Sequence, residues 1–154
     1  MQFLRGNFHN GSKVIRAPWT VAEQQFVEQC SRCDLCISAC PTKILERGRG
    51  GFPEINFSKG ECEFCGDCVN ACKDPVFISD WENTTAWNLK ASVEESCITY
   101  EGVVCRTCGE MCDERAINFR PRVGGVSAPE LNSELCNGCG ACVAPCPNNS
   151  IKMT

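Results

Sequence analysis

The stretch "CSRCDLCISACP", residues 30–41, contains four cysteines at the spacing C-x2-C-x2-C-x3-C and ends on a proline. The spacing occurs twice more, whereas a fourth group, "CITYEGVVCRTCGEMC" at residues 97–112, departs from it in the first interval. These four groups contain all 16 cysteines of the 154-residue chain. A cysteine content of about a tenth is typical of small proteins held together by cross-links or metals rather than by a large apolar core. The chemistry of the thiols is therefore expected to decide the fold.

The regular spacing is the signature of bacterial ferredoxins, in which three cysteines bind one [4Fe–4S] cluster and the fourth binds its neighbour. The short intervals wrap three thiolates around one face of a cluster, and the longer last interval carries the fourth thiol away to the next one. The regular groups are Cys30, Cys33, Cys36 and Cys40; Cys62, Cys65, Cys68 and Cys72; and Cys136, Cys139, Cys142 and Cys146. The sequence therefore predicts [4Fe–4S] sites.

Disulfides and zinc are the alternative uses of so many thiols. A disulfide framework needs an oxidising compartment, and the N-terminal residues show neither an apolar signal segment nor a twin arginine. Zinc also accepts four thiolates, but its sites use two separated C-x2-C pairs rather than three ligands within seven residues. We predict a cytoplasmic protein with reduced thiols that bind iron, and visible absorption distinguishes iron from both alternatives.

The chain is an internal duplication. "RGRGGFPEIN" at residues 47–56 and "RVGGVSAPELN" at 122–132 share a Gly-Gly pair and a Pro-Glu-(Ile/Leu)-Asn run, and each leads into a regular cysteine group. "TVAE" at 20–23 and "SVEE" at 92–95 both read as capping boxes that open a helix. The predicted organisation is a basic N-terminal arm (1–19), a first ferredoxin-like unit (20–78), a linker (79–91) and a second ferredoxin-like unit (92–154).

The duplication locates the missing ligand of the irregular group. Thr20 precedes Cys33 by the same thirteen residues that separate Ser92 from Cys105. Gly102 then occupies the position of the first ligand, and the nearest thiol is Cys97. Five helical residues would place that thiol about 7.5 Å away, so Cys97 binds only if "ITYEG" loops back, which Gly102 favours. The alternative is an incomplete, labile or three-iron site, which leaves three complete clusters.

With crossed fourth ligands, the sequence predicts four clusters. The expected sets are Cys30, Cys33, Cys36 and Cys72; Cys62, Cys65, Cys68 and Cys40; Cys97, Cys105, Cys108 and Cys146; and Cys136, Cys139, Cys142 and Cys112. The expected fold class is α+β: two tandem bacterial 2[4Fe–4S] ferredoxin-like units built around the clusters, with little regular secondary structure.

Apolar residues and aromatics complete the expected architecture. An apolar side chain follows each fourth cysteine by five residues, and we expect these side chains to shield the clusters: Leu45, Phe77, Ile117 and Ile151. They lie in the predicted strands "KIL", "PVFI", "AINF" and "SIKM", and "FPEINF" and "PELN" are the expected partner strands. Trp81 and Trp87 in the linker are expected to pack between the units.

Composition excludes several functions. A net charge of −4 and a pI near 5.1 argue against a nucleic-acid partner, and no apolar stretch is long enough for a membrane span. The sequence has no P-loop, no dinucleotide fingerprint and no pairing of a nucleophile with a base. Its one histidine, His9, lies in the basic arm and is expected at the surface. We predict an electron-transfer protein without catalytic residues, not an enzyme.

Five segments carry a resemblance to one family. They are "RAPW" (16–19), "CSRCDLCISACPTKIL" (30–45), "RGRGGFPEINFSKGECEFCGDC" (47–68), "CITYEGVVCRTCGEMCDERAINFRP" (97–121) and "LNSELCNGCGACVAPCPNNSI" (131–151). Together they resemble the NapF family, the ferredoxin-type accessory proteins of periplasmic nitrate reductase systems. The resemblance implies a cytoplasmic [4Fe–4S] protein that binds the immature catalytic subunit, NapA, before its export and assists its maturation. The alternative is a general electron-transfer polyferredoxin or a relay subunit of another oxidoreductase.

Overall fold

The computed structural model describes residues 14–154, so the predicted positions of residues 1–13 of the basic arm, His9 included, lie outside the described residues. The described chain forms short elements only. The helices are α1 (Glu23–Gln29), α2 (Leu35–Ala39), α3 (Asp67–Asn70) and α4 (Thr107–Glu110). The strands are β1 (Leu45–Arg47), β2 (Pro53–Ile55), β3 (Ala91–Val93), β4 (Ile117–Arg122), β5 (Gly125–Leu131) and β6 (Ile151–Met153). Within residues 14–154, no helix has the length and apolar character needed to cross a membrane.

Two of the expected strands pair with the expected partner strands in hairpins, whereas "PVFI" contributes only an isolated bridge from Phe77. Strand β1 pairs antiparallel with β2, with Leu45 opposite Ile55, and β4 pairs antiparallel with β5, with Ile117 opposite Leu131. In the first hairpin Gly50 and Gly51 adopt φ of 65° and 80°, a left-handed conformation that glycine reaches without steric cost. The Gly-Gly pairs of the duplicated sequence therefore mark the turns between paired strands.

The two predicted helix caps are wrong, although a helix does follow the first of the two patterns. Helix α1 begins at Glu23 with Ala22 as its N-cap, and no side chain caps it. Thr20 instead forms an antiparallel bridge with Phe77, and Ser92 lies in β3, which pairs with β6. Pairing with the last segment of each unit satisfies these backbone groups better than a local capping box does. Thr20 and Ser92 both pair with the last segment of their unit, which agrees with the alignment of the two units, although a helix follows directly only in the first.

The described part of the predicted arm, residues 14–19, packs on the first unit. The backbone N–H of Ile55 donates to the carbonyl of Ile15 at 2.8 Å, and Ala17 and Trp19 are buried. The Arg16 guanidinium lies over the ring of Phe26 at 4.8 Å. These contacts extend the first unit to the N-terminal side of residue 20.

The two linker tryptophans have different roles. Trp87 contacts the rings of Phe57 and Phe64 in the first unit, at centroid distances of 6.1 and 5.8 Å, and its indole N–H donates to the carbonyl of Asn137 in the second unit at 3.1 Å. Its predicted position between the units is confirmed. Trp81 instead packs against Trp19 at 5.0 Å and covers Gly66, both in the first unit, so its predicted position is wrong.

We expect the substitution Trp87→Ala to loosen the contact between the units. The half-buried indole loses two aromatic contacts and one hydrogen bond, which should cost about 2 kcal/mol. Hydrogen exchange of backbone amides at the interface should accelerate roughly tenfold or more. The matched control is Trp81→Ala, which removes an indole of the same size from the first unit alone. Equal acceleration at the interface in both variants would contradict this role of Trp87.

Candidate functional site

The structure brings the cysteines together in four sets of four, each lining one cavity. Site one is lined by Cys30, Cys33, Cys36 and Cys72, site two by Cys40, Cys62, Cys65 and Cys68, site three by Cys97, Cys105, Cys108 and Cys146, and site four by Cys112, Cys136, Cys139 and Cys142. Each set joins three thiols of one motif with the fourth thiol of another. These are the groupings that the crossed arrangement predicts.

Short helices produce the crossing in the first unit. Helix α2 separates Cys36 at site one from Cys40 at site two, and the backbone N–H of Cys40 donates to the carbonyl of Cys36 at 3.2 Å. Helix α3 follows Cys65 and leads from Cys68 at site two to Cys72 at site one. Four helical residues advance about 6 Å along the axis, which moves the fourth thiol from one cavity to the next.

The second unit repeats this arrangement. Helix α4 contains Cys108 of site three and ends just before Cys112 of site four. A turn in which the N–H of Cys146 donates to the carbonyl of Val143 at 3.2 Å leads from site four back to site three. Sites three and four are therefore related to each other as sites one and two are.

The irregular group closes through a loop. The N–H of Val103 donates to the carbonyl of Ile98 at 3.0 Å, and the N–H of Gly102 donates to that of Thr99 at 3.3 Å. Gly102 has φ of 89°, a conformation that lets the chain reverse between Cys97 and Cys105. The structure thus places Cys97 on the wall of site three, as the loop prediction requires.

Each predicted shielding residue lines one of the four sites. Leu45 lines site two and Phe77 site one, while Ile117 lines site four and Ile151 site three. Leu45, Ile117 and Ile151 are buried in the two small apolar cores. Every site therefore has an apolar wall beside its fourth thiol, which limits the access of water.

Burial controls the protonation of the metal-free thiols. Desolvation is the main cause that raises the pKa of the third cysteine of each group: Cys36 and Cys108 to about 11, and Cys68 and Cys142 to about 12. Neighbouring thiols add to this effect on the pKa. Such thiols are neutral near pH 7 and must release protons when they bind a metal.

Hydrogen-bond donors point at several sulfur atoms. The backbone N–H groups of Ala116 and Ser150 donate to the Sγ atoms of Cys112 and Cys146, each at 3.3 Å. Buried Thr99 has its Oγ1 3.3 Å from the Sγ of Cys97. Donors of this kind stabilise thiolate charge and tune the reduction potential of an iron–sulfur cluster.

Each site has the sulfur ligands that an iron–sulfur cluster needs. All sixteen cysteines lie within the described residues and are free thiols, and each set supplies the four soft sulfur ligands that a [4Fe–4S] cluster takes. No group of three or more metal-binding side chains in residues 14–154 has the geometry to hold a single metal ion. The four thiols of each set line the wall of a cavity instead.

The sequence analysis did not predict the contact between the two units. The backbone N–H of Cys62 at site two donates to the carbonyl of Cys139 at site four, at 2.8 Å. The carboxylate of Glu61 also lies near Cys139 and contributes to the raised pKa of that thiol, after desolvation. No local pattern signals a contact between residues so distant in sequence.

The chain matches the family of 4Fe-4S dicluster domains twice, at residues 29–75 and 103–150. The first match contains Cys30 and the other seven cysteines of the first unit. The second match begins after Cys97, so it contains only seven of the eight cysteines of the second unit. The position that departs from the regular spacing is thus also the position outside the family match.

Two dicluster domains and four thiol-lined sites define a ferredoxin-type iron–sulfur protein. The chain is 45% identical over 148 residues to the ferredoxin-type protein NapF of Escherichia coli K12, a match that covers 96% of this chain and 89% of that protein. It is 46% identical over 162 residues to NapF of Haemophilus influenzae, a match that covers 99% of this chain and 91% of that protein. The chain belongs to the NapF family.

A more distant similarity extends beyond NapF. The methylamine utilization ferredoxin-type protein MauM of Paracoccus denitrificans is 30% identical over 151 residues, covering 88% of this chain and 67% of that protein.

Proposed function

We propose that this protein binds NapA, the catalytic subunit of periplasmic nitrate reductase, in the cytoplasm before export, and assists its maturation by electron transfer. The observation that supports the proposal is the combination of four thiol sets with membership of the NapF family. Electron transfer fits this role, since each site is lined by four thiols together with the apolar residue that follows a fourth cysteine. We assign the fold to an α+β ferredoxin-like class with two dicluster units.

We propose all sixteen cysteines as ligands of four [4Fe–4S] clusters. When bound, each cluster supplies one-electron redox chemistry between its oxidised and reduced states. The protein holds the thiols in place, limits water with the apolar wall of each site, and directs N–H groups at sulfur atoms such as the Sγ of Cys112. These features set the reduction potential of a site.

We expect Cys97→Ser to lower the cluster content from four to three. Serine keeps the shape of the side chain but replaces the soft sulfur ligand with a hydroxyl, so the set with Cys105, Cys108 and Cys146 becomes incomplete. Anaerobic native mass spectrometry of the isolated chain measures iron and sulfide per molecule. The matched control is Glu95→Ala, an exposed residue two positions away and outside the thiol sets. A wild-type chain with only three clusters, unchanged by Cys97→Ser, would contradict ligation by Cys97.

The maturation role predicts a preference for the immature partner. An anaerobic pull-down measures how much of the cluster-loaded chain binds to cofactor-free NapA and to mature NapA at equal concentrations. We expect binding to the cofactor-free subunit at least tenfold stronger. Equal binding to both forms would contradict a role in maturation, and the absence of binding to either would contradict the partner.

The similarity to MauM favours one alternative function. The name of MauM links a protein of related sequence to methylamine utilization rather than to nitrate. On this alternative, the chain is a general electron carrier or a relay subunit of another oxidoreductase. Fast electron exchange with a mature reductase or dehydrogenase, without preference for an immature subunit, would favour this alternative.

A further inference from the structure

Adjacent sites within each unit are joined twice. In the first unit, four residues join Cys36 to Cys40, and another four join Cys68 to Cys72, so two short links connect sites one and two. In the second unit the corresponding links run from residue 108 to 112 and from residue 142 to 146 and connect sites three and four. Each pair of sites is therefore one tightly connected body.

The contact between the units involves sites two and four. The N–H of Cys62, at site two, donates to the carbonyl of Cys139, at site four, at 2.8 Å. No backbone hydrogen bond within residues 14–154 joins a thiol-bearing residue of site three to one of the first unit.

Buried side chains fix this junction. The ring of Phe57, which is 5% exposed, lies against Gly140 in the loop of site four and against Trp87. Val143, between two thiols of the second unit, packs on both apolar cores. The loops of sites two and four are thus held face to face.

We infer that the four sites form one linear relay in the order one, two, four, three, and that the relay crosses between the units at Cys62 and Cys139. This inference rests on the proposed electron-transfer function. At each step one electron passes from a reduced centre to its oxidised neighbour, and no bond or proton changes. An external one-electron reductant supplies the electron, and an external acceptor receives it. The order of the path differs from the order along the chain, and the irregular site three is an end of the relay.

A matched pair of variants distinguishes the two orders. Cys97→Ser removes site three and Cys139→Ser removes site four, each through a single ligand in the same unit. Both are fully reduced with dithionite and examined by electron paramagnetic resonance, in which neighbouring reduced clusters broaden each other's signals and an isolated cluster gives a simple one. We expect Cys97→Ser to retain three coupled clusters, and Cys139→Ser to show one additional uncoupled signal that accounts for about one third of the spins.

The opposite result would overturn the inferred order. If the path followed the chain order, Cys97→Ser would isolate site four and give the uncoupled signal, whereas Cys139→Ser would leave three coupled clusters. Iron and sulfide analysis checks that each variant keeps three clusters. A second matched pair, Cys105→Ser and Cys136→Ser, removes the same two sites through other ligands.

The wild-type chain gives an independent measurement if the variants do not fold. Iron anomalous scattering from anaerobic crystals locates the clusters without any substitution. We expect site two to lie nearer to site four than to site three, and the reverse would overturn the order. A wild-type cluster content below four would contradict the proposed cofactor content instead, so failure of the function and failure of the order are distinguishable.

Discussion

Removal of iron is expected to unfold the whole described chain. The longest helix has seven residues and the longest strand has seven, and isolated elements of this length are unstable in water. The two apolar cores are small and include the thiol-bearing residues themselves, such as Cys68 and Cys142. Metal binding energy is therefore folding energy. Exposure to oxygen and a chelator should abolish most of the native circular dichroism in one cooperative transition, in parallel with the loss of visible absorption.

The control for this experiment is the same chelator without oxygen, which leaves intact clusters in place and should leave the spectrum unchanged. Native-like circular dichroism after complete loss of iron and sulfide would contradict the idea that the clusters replace a core.

The second large effect is expected for Gly140→Ala. Gly140 has φ of 81°, and an added Cβ would overlap the buried ring of Phe57, which Trp87 holds in place. The left-handed conformation costs about 1–2 kcal/mol for alanine, and overpacking adds about 1–3 kcal/mol. For a chain of this size we expect the unfolding midpoint to fall by roughly 5 to 20 °C. Scanning calorimetry under anaerobic conditions measures the midpoint.

Gly124→Ala is the matched control. Gly124 has φ of 72° in the turn between β4 and β5, and nothing lies within 4 Å of an added Cβ, so this variant incurs only the backbone cost of about 1–2 kcal/mol. A decrease in the midpoint as small in Gly140→Ala as in Gly124→Ala would show that the contact with Phe57 is not tight.

The sequence predicts the sites well because cluster ligation depends on short spacings. Three cysteines within seven residues are typical of a loop that binds a [4Fe–4S] cluster. The groups at residues 30–40, 62–72 and 136–146 therefore already predict sites with crossed fourth ligands. The prediction that Cys97 belongs to site three required two further observations, namely the alignment of the two units and the glycine at position 102. The shielding residues followed from a fixed offset after each fourth cysteine, and in the structure one of them lines each site.

Long-range pairing explains what the sequence did not predict. The capping-box pattern at Thr20 is local, but Thr20 bridges to Phe77, and the partner of β3 lies at the end of the chain. Trp81 and Trp87 are equivalent by composition and spacing, yet only Trp87 reaches Asn137. The hydrogen bond between Cys62 and Cys139 likewise joins units whose relative position no local pattern specifies.

The crossed ligands have a consequence for how the protein is made. Each site takes a thiol from the motif that mainly forms its neighbour, so the first cluster to enter a unit draws both motifs together. The thiols that bind the second cluster are then already close together. Their effective concentration is high, so the second site forms without a search by the unfolded chain. In the wild-type chain, the second site of a unit should accordingly be loaded faster than the first, so that chains with one cluster per unit are short-lived during biogenesis.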